Sequence, residues 1–185
     1  TSAEEEGLFL EGTGSILIDR VNNKAYCALS QRADEDLFIE FCEDFDCFPV
    51  IFTANQSVEG KRLPIYHTNV MMALAENFAI ICPDSIDDKK ERKNVLDHLK
   101  NDGKEIISIT EKQMHHFAGN MLQVLGAEGH KYMVMSTAAF NSLNPKQIAQ
   151  IENHCPILHS SLDTIETCGG GSARCMMAEV FLPKN

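Results

Sequence analysis

The sequence predicts an α+β fold made of repeated strand–strand–helix–strand units packed around one shared core. Three observations lead there. Polar residues that run into apolar strands recur with a period of about 55 residues, at Glu11, His67, Asn120 and Cys175. Between them the same order of short apolar runs and one amphipathic stretch returns each time. The chain has 185 residues, 44% of them hydrophobic, which is enough for one sizeable core.

The first unit covers about 11–64. A strand is predicted near 15–19, a turn at Val21-Asn22-Asn23 and a second strand at 24–29. Leu37, Phe38, Phe41 and Cys42 fall at helical spacing among acidic residues, so a helix is predicted over 33–44. The apolar run 48–53 reads as a buried third strand.

The second unit, about 65–117, repeats this order with strands at 70–74 and 78–82. Ser85 is the predicted N-cap, with Asp87 and Asp88 in the first helical turn. The helix runs to about Lys100, is stopped by Asn101-Asp102-Gly103, and leads to a strand at 105–110. The third unit, about 118–172, has strands at 121–125 and 131–135, helical segments at 137–143 and 145–154, and a strand at 157–160. Pro145 suits a first helical turn. A fourth unit begins at 173–185, with Cys175 leading into a strand.

One such unit cannot cover both faces of its small sheet, so the units must pack on each other and the chain reads as a single domain. Placed in a ring, their first strands point at a common axis. Glu11, His67, Asn120 and Cys175 then converge, and acid, base and thiol in one place form a catalytic constellation.

Composition narrows the chemistry. The formal net charge of -11 argues against nucleic acid or an anionic membrane as the main partner. The seven cysteines are odd in number, several sit in apolar runs and no CxxC pair occurs. Reduced thiols in a cytoplasmic protein are expected, with no structural zinc site. The acidic start at Glu4, Glu5 and Glu6 is unlike a signal peptide, and no apolar run reaches the roughly 20 residues that span a bilayer. The chain does not open with methionine, so the protein is expected to begin upstream.

Cys175 follows Gly169-Gly170-Gly171-Ser172-Ala173-Arg174. Glycines at Gly171 and before it allow close backbone approach, and the neighbouring Arg174 favours a thiolate. Taken alone, Cys175 is a small hydrophobe at a strand start; the repeat register makes it the nucleophile, whereas Cys168 falls outside that register. His67 suits general acid–base work, the alternative being a hydrogen-bonded loop histidine. Glu11 offers a planar, charge-assisted match to guanidinium, or else is a solvated turn carboxylate. Arg32 suits a substrate carboxylate, or a salt bridge to Asp34 or Glu35. His115 and His116 read as surface or structural.

These segments resemble the guanidino-group-modifying enzymes, the arginine deiminase and amidinotransferase superfamily. The residues that carry the likeness are Leu10-Glu11-Gly12-Thr13-Gly14-Ser15, Ser30-Gln31-Arg32-Ala33-Asp34, Tyr66-His67-Thr68-Asn69 and Gly171-Ser172-Ala173-Arg174-Cys175-Met176. The wording is closest to citrulline-utilisation hydrolase-type, arginine deiminase-related proteins. The resemblance implies a pentein-like α/β propeller of five ββαβ modules around a pseudo-fivefold axis, of which this chain holds three and a fraction. It implies an N-terminal part outside this sequence, or a homodimer that completes the site.

The resemblance also implies an amidinohydrolase with no metal and no cofactor, acting on arginine or a methylated arginine through a covalent thiouronium, giving citrulline or a ureido product. Cys175 would attack, His67 would protonate the leaving amine and activate water, and Glu11 would hold the guanidinium. Arg32, Asn69, Asn120, Arg174 and Gly171 would bind substrate. Two departures stand out: Asn69 lies where deiminases commonly carry an aspartate after the histidine, and Gly14 or Ser15 lies where an acid falls in the first motif. An amidinotransferase, or a non-catalytic relative that binds a ligand or partner, are the alternatives.

Overall fold

The computed structural model describes residues 2–181. Among these, three small sheets share one plan. Strands β1 (Ile16–Asp19), β2 (Lys24–Leu29) and β3 (Phe48–Thr53) form the first, in that order. β1 pairs antiparallel with β2, and β2 pairs parallel with β3. After the hairpin strands β4 (Asn55–Val58) and β5 (Lys61–Pro64), strands β6 (Met72–Leu74), β7 (Phe78–Ile81) and β8 (Glu105–Ser108) repeat the plan. Strands β9 (Leu122–Leu125), β10 (Lys131–Ser136) and β11 (Ile157–Ser160) repeat it again.

A parallel pair needs a crossover, and each is helical. Glu35–Asp44 joins β2 to β3 and Lys89–Asn101 joins β7 to β8. Thr137–Ser142 and Pro145–Glu152 join β10 to β11. Asp34 caps the first helix by accepting from the Asp36 and Leu37 amides. Pro145 sits in the first turn of the last, beneath an Asn144–Gln147 capping box.

The units bury one another. β2 is buried on both faces: Ala25 and Cys27 face Phe38 and Cys42 of its own helix, while Tyr26 and Ala28 join the main core. The main core includes Val95 and Leu99 of helix Lys89–Asn101, which touches both β3 and β8. That helix is sandwiched between its own sheet and the preceding one. Helix Pro145–Glu152 packs on β8 in the same way.

An ion pair crosses the first junction. Lys104 Nζ lies 2.8 Å from Asp19 Oδ2, with both side chains at most 2% exposed. It also donates to the carbonyls of Ala75 and Glu76 at 3.0 and 3.1 Å, so all three ammonium protons have partners. Burial alone would raise the Asp19 carboxyl, but Lys104 and Asn22 outweigh it and hold the carboxyl below its ordinary value.

Three sequence expectations are corrected, and two elements appear where none was predicted. The helix of the second unit is capped by Asp88, which accepts from the Lys90 and Glu91 amides. Ser85 instead ends a 3-10 turn, Pro83–Ser85, because Pro83 fixes a separate turn ahead of the helix. The 55–64 stretch forms a hairpin through Glu59 and Gly60, both at positive φ, a two-residue turn of the kind that matches strand twist. One-turn helices, Gly12–Ser15 and Thr68–Met71, precede β1 and β6, so these strands start later than the apolar pattern suggests. Cys175 lies in the 3-10 turn Arg174–Met176, and no strand follows among the described residues because nothing pairs with 177–181 there. The rest of that predicted strand lies outside the described residues. The helix Asp163–Gly169 has no counterpart in the predicted pattern, since none of its residues is buried.

Among the described residues no helix is long and apolar enough to cross a membrane.

Replacing Lys104 with methionine leaves a buried Asp19 without its partner, and chemical denaturation should show a loss of about 3–5 kcal/mol. Because the folded Asp19 value is lowered, wild-type stability from this pair is full above the unfolded carboxylate value of about 3.9 and is lost as pH falls through the folded value. The deficit of Lys104→Met should therefore shrink on acidification; a deficit independent of pH would contradict the assignment.

Candidate active site

The turns that lead into the first strands bring the predicted residues to one end of the molecule in two groups. The first surrounds Cys175, an exposed residue whose sulfur is partly covered. Asn120, 3% exposed, sits directly before β9. Its Nδ2 donates to Cys175 Sγ at 3.2 Å and to the Asn69 carbonyl at 3.1 Å. Its Oδ1 accepts from the backbone amides of Arg174 at 3.1 Å and Cys175 at 3.4 Å. The Asn69 side-chain amide points at the same sulfur, with Nδ2 at 3.9 Å. Asn69 is buried, and among the described residues its Oδ1 has no hydrogen-bond partner, a state that costs about 1–3 kcal/mol until a donor arrives.

Two glycines set this geometry. A Cβ on Gly119 would overlap the Val70 carbonyl, so the chain before Asn120 lies directly on the Thr68–Met71 turn. A Cβ on Gly171 would fall 3.3 Å from Cys175 Sγ, so the backbone at Gly171 walls the thiol closely.

The second group surrounds His67, which precedes the Thr68–Met71 turn. Its Nε2 lies 2.6 Å from Glu11 Oε2. The Thr68 hydroxyl donates to the Ser15 carbonyl and accepts from the Ala28 amide, fastening this turn to the first unit. The imidazole also rests on Gly14, where a Cβ would lie 2.7 Å from Nδ1. An acid at Gly14 would expel the ring, which gives that departure a steric reason.

Glu11 thus faces His67, with Arg32 Nη1 3.6 Å from the same oxygen. Arg32 pairs with neither Asp34, which caps a helix, nor Glu35; its guanidinium lies over the Tyr66 ring at 5.1 Å. Arg174 is 5% exposed, donates to the Met177 carbonyl at 2.9 Å and lies 3.6 Å from Glu179. Its guanidinium is held within the fold.

No hydrogen bond joins His67 to Cys175. Tyr66 lies between the two groups. Its ring meets the His67 ring edge-on at 5.0 Å, and its hydroxyl donates to the Gly170 carbonyl at 3.4 Å. Burial, then the charge of Cys175, raises the Tyr66 phenol above its ordinary value. Gly119 carried no periodic or motif signal of its own, and Tyr66 and Gly14 stood inside the quoted motif segments without a role assigned to them. His115 and His116 lie away from these groups, beside Glu111 and the Lys112 carbonyl. Among the described residues no three His, Cys, Asp or Glu side chains are grouped to hold a metal ion.

The Asn120 amide is the nearest donor to the thiol. Asn120→Ala should slow iodoacetamide alkylation of Cys175, followed by mass spectrometry of its peptide, about tenfold at neutral pH. An unchanged rate would show that the amide does not support the thiolate.

Residues 1–182 match the family described as N,N dimethylarginine dimethylhydrolase, eukaryotic. No curated protein sequence matches the chain. Among solved structures, apo ArgZ, an arginine dihydrolase from the ornithine-ammonia cycle in cyanobacteria, superposes with a TM-score of 0.72 at 18% identity, covering 97% of this chain and 27% of that one. The N-terminal domain of an ArgZ variant, covalently bound to a reaction intermediate, superposes with a TM-score of 0.67 at 17% identity, covering 94% and 60%. AgrE in ternary complex with ornithine and NAD+ gives 0.71 at 18%, covering 95% and 23%. The chain therefore spans less than two thirds of these relatives. At such identities the likeness establishes the fold, a pentein-like arrangement of ββαβ units. With its match running over nearly the whole length, the chain belongs to the eukaryotic N,N dimethylarginine dimethylhydrolase family, within the guanidino-group-modifying superfamily that its motifs resemble.

Proposed function

We propose that this protein is a hydrolase of guanidino substrates, arginine or a methylated arginine, that works through a covalent thiouronium on Cys175. The observation that carries the reading is the thiol with two amide donors on its sulfur, next to a histidine–carboxylate pair, all on turns that enter successive units.

The Cys175 thiolate attacks the guanidinium carbon, forming an S–C bond. As the carbon–nitrogen bond breaks, the departing nitrogen takes a proton from the His67 imidazolium and leaves as ammonia or an amine. The imidazole then removes a proton from water, whose oxygen attacks the same carbon. The sulfur leaves as thiolate, and the product is a ureido compound, citrulline if arginine was the substrate. Glu11 orients the imidazole and stabilises its cationic form, so its 2.6 Å contact matters in both halves. Asn69 Oδ1, buried without a partner among the described residues, accepts a substrate N–H. Arg32, half-exposed at the mouth, takes the substrate carboxylate. Reduced thiols and a cytoplasmic setting fit this chemistry.

The test is turnover of arginine, monomethylarginine and asymmetric dimethylarginine, scored for ureido product and released amine. Cys175→Ala should lower kcat by about 10⁴-fold or more, and His67→Ala by about 10²–10⁴-fold. Turnover across the panel that survives Cys175→Ala, or none by the wild-type protein, would contradict the reading. Glycine added as acceptor separates hydrolysis from amidino transfer, which would yield guanidinoacetate.

A further inference from the structure

We infer that Tyr66 is a positioning residue: its hydroxyl latches the segment that walls Cys175 to the unit carrying His67. The inference rests on the proposed reaction for its catalytic consequence, but not for the latch itself.

None of residues 163–171 is buried, whereas Ser172, which ends the segment, is fully buried. The helix Asp163–Gly169 buries none of its residues. It ends at Gly170 with φ 67°, a left-handed closure that leaves the Gly170 carbonyl available. Within the segment, Ser172 Oγ donates to Glu166 Oε1 at 2.6 Å, which ties it to itself. The Tyr66 hydroxyl on the Gly170 carbonyl joins it to another unit, 104 residues away in sequence. One residue further on, the Gly171 backbone walls the thiol.

Tyr66 is itself held firmly. Ile65, immediately before it, is fully buried and donates to the Ala54 carbonyl at 2.8 Å. The Tyr66 carbonyl accepts from Ser30 Oγ at 2.8 Å. The hairpin ahead of it is clamped by Arg62, which pairs with Asp87 and Glu111 and donates to the Asp84 carbonyl. The ring, meanwhile, carries Arg32 on its face and His67 at its edge. One side chain thus touches the wall of the nucleophile, the acid–base residue and the cation at the mouth. Movement of the 163–172 segment is felt by all three, and loss of the hydroxyl frees the segment while leaving ring contacts intact.

Hydrogen exchange on the intact protein separates these effects. In Tyr66→Phe, amides of 163–171 should exchange about three- to tenfold faster, with β7 unchanged as the folding control. Unchanged exchange over 163–171, or acceleration spread equally to β7, overturns the latch. On the kinetic side, Tyr66→Phe should lower kcat about three- to tenfold with little change in KM, and Tyr66→Ala should also raise KM as Arg32 is released. A wild-type protein without turnover would sink the proposed reaction alone, since exchange still decides the latch.

Discussion

Both polar atoms of the Asn120 side chain are engaged, and the site depends on that one amide. Its oxygen gathers the amides of Arg174 and Cys175, and its nitrogen reaches both the thiol and the Asn69 carbonyl. Three units meet there: the turn before β6, the turn before β9 and the turn bearing the thiol. Buried at 3% exposure, the amide is a satisfied polar group in a low-dielectric setting, where such networks fix one geometry. Gly119 makes it possible by letting the chain lie on the Val70 carbonyl.

The same logic scales up to the fold. No unit can cover both faces of its own sheet, so the helices of the second and third units pack against the sheet of the unit before them. The first strands are thereby aligned, and the turns ahead of them face one another. Lys104 and Asp19 fasten the first junction from within. Positions about 55 residues apart in sequence meet because the packing repeats, and chemistry collects at the turns because these alone combine close approach with some exposure.

Much of this was legible in the sequence. β2, β3 and β11 fall where the apolar runs placed them, although only β2 is buried along most of its length, β3 being buried at alternate residues and β11 largely exposed. The register of Glu11, His67, Asn120 and Cys175 was legible because polar residues interrupt the apolar runs at equal intervals. Other features were hidden for identifiable reasons. Ser85 and Asp88 both suit an N-cap, and only the turn made at Pro83 decides between them. Glu11 suits a guanidinium or an imidazole equally well, and only the tertiary fold brings His67 to it. Tyr66 and Gly14 act through neighbours distant in sequence, and the exposed helix Asp163–Gly169 has no apolar face to show.

The account rests on a covalent bond to one sulfur. The most direct measurement is rapid acid quench of the protein with arginine or a methylated arginine, followed by mass spectrometry of the peptides bearing each cysteine. The account predicts an amidino adduct on the Cys175 peptide that forms and decays within the turnover time and is absent from Cys168. Steady turnover with no adduct on Cys175 at any time, or an adduct on Cys168 instead, would contradict it.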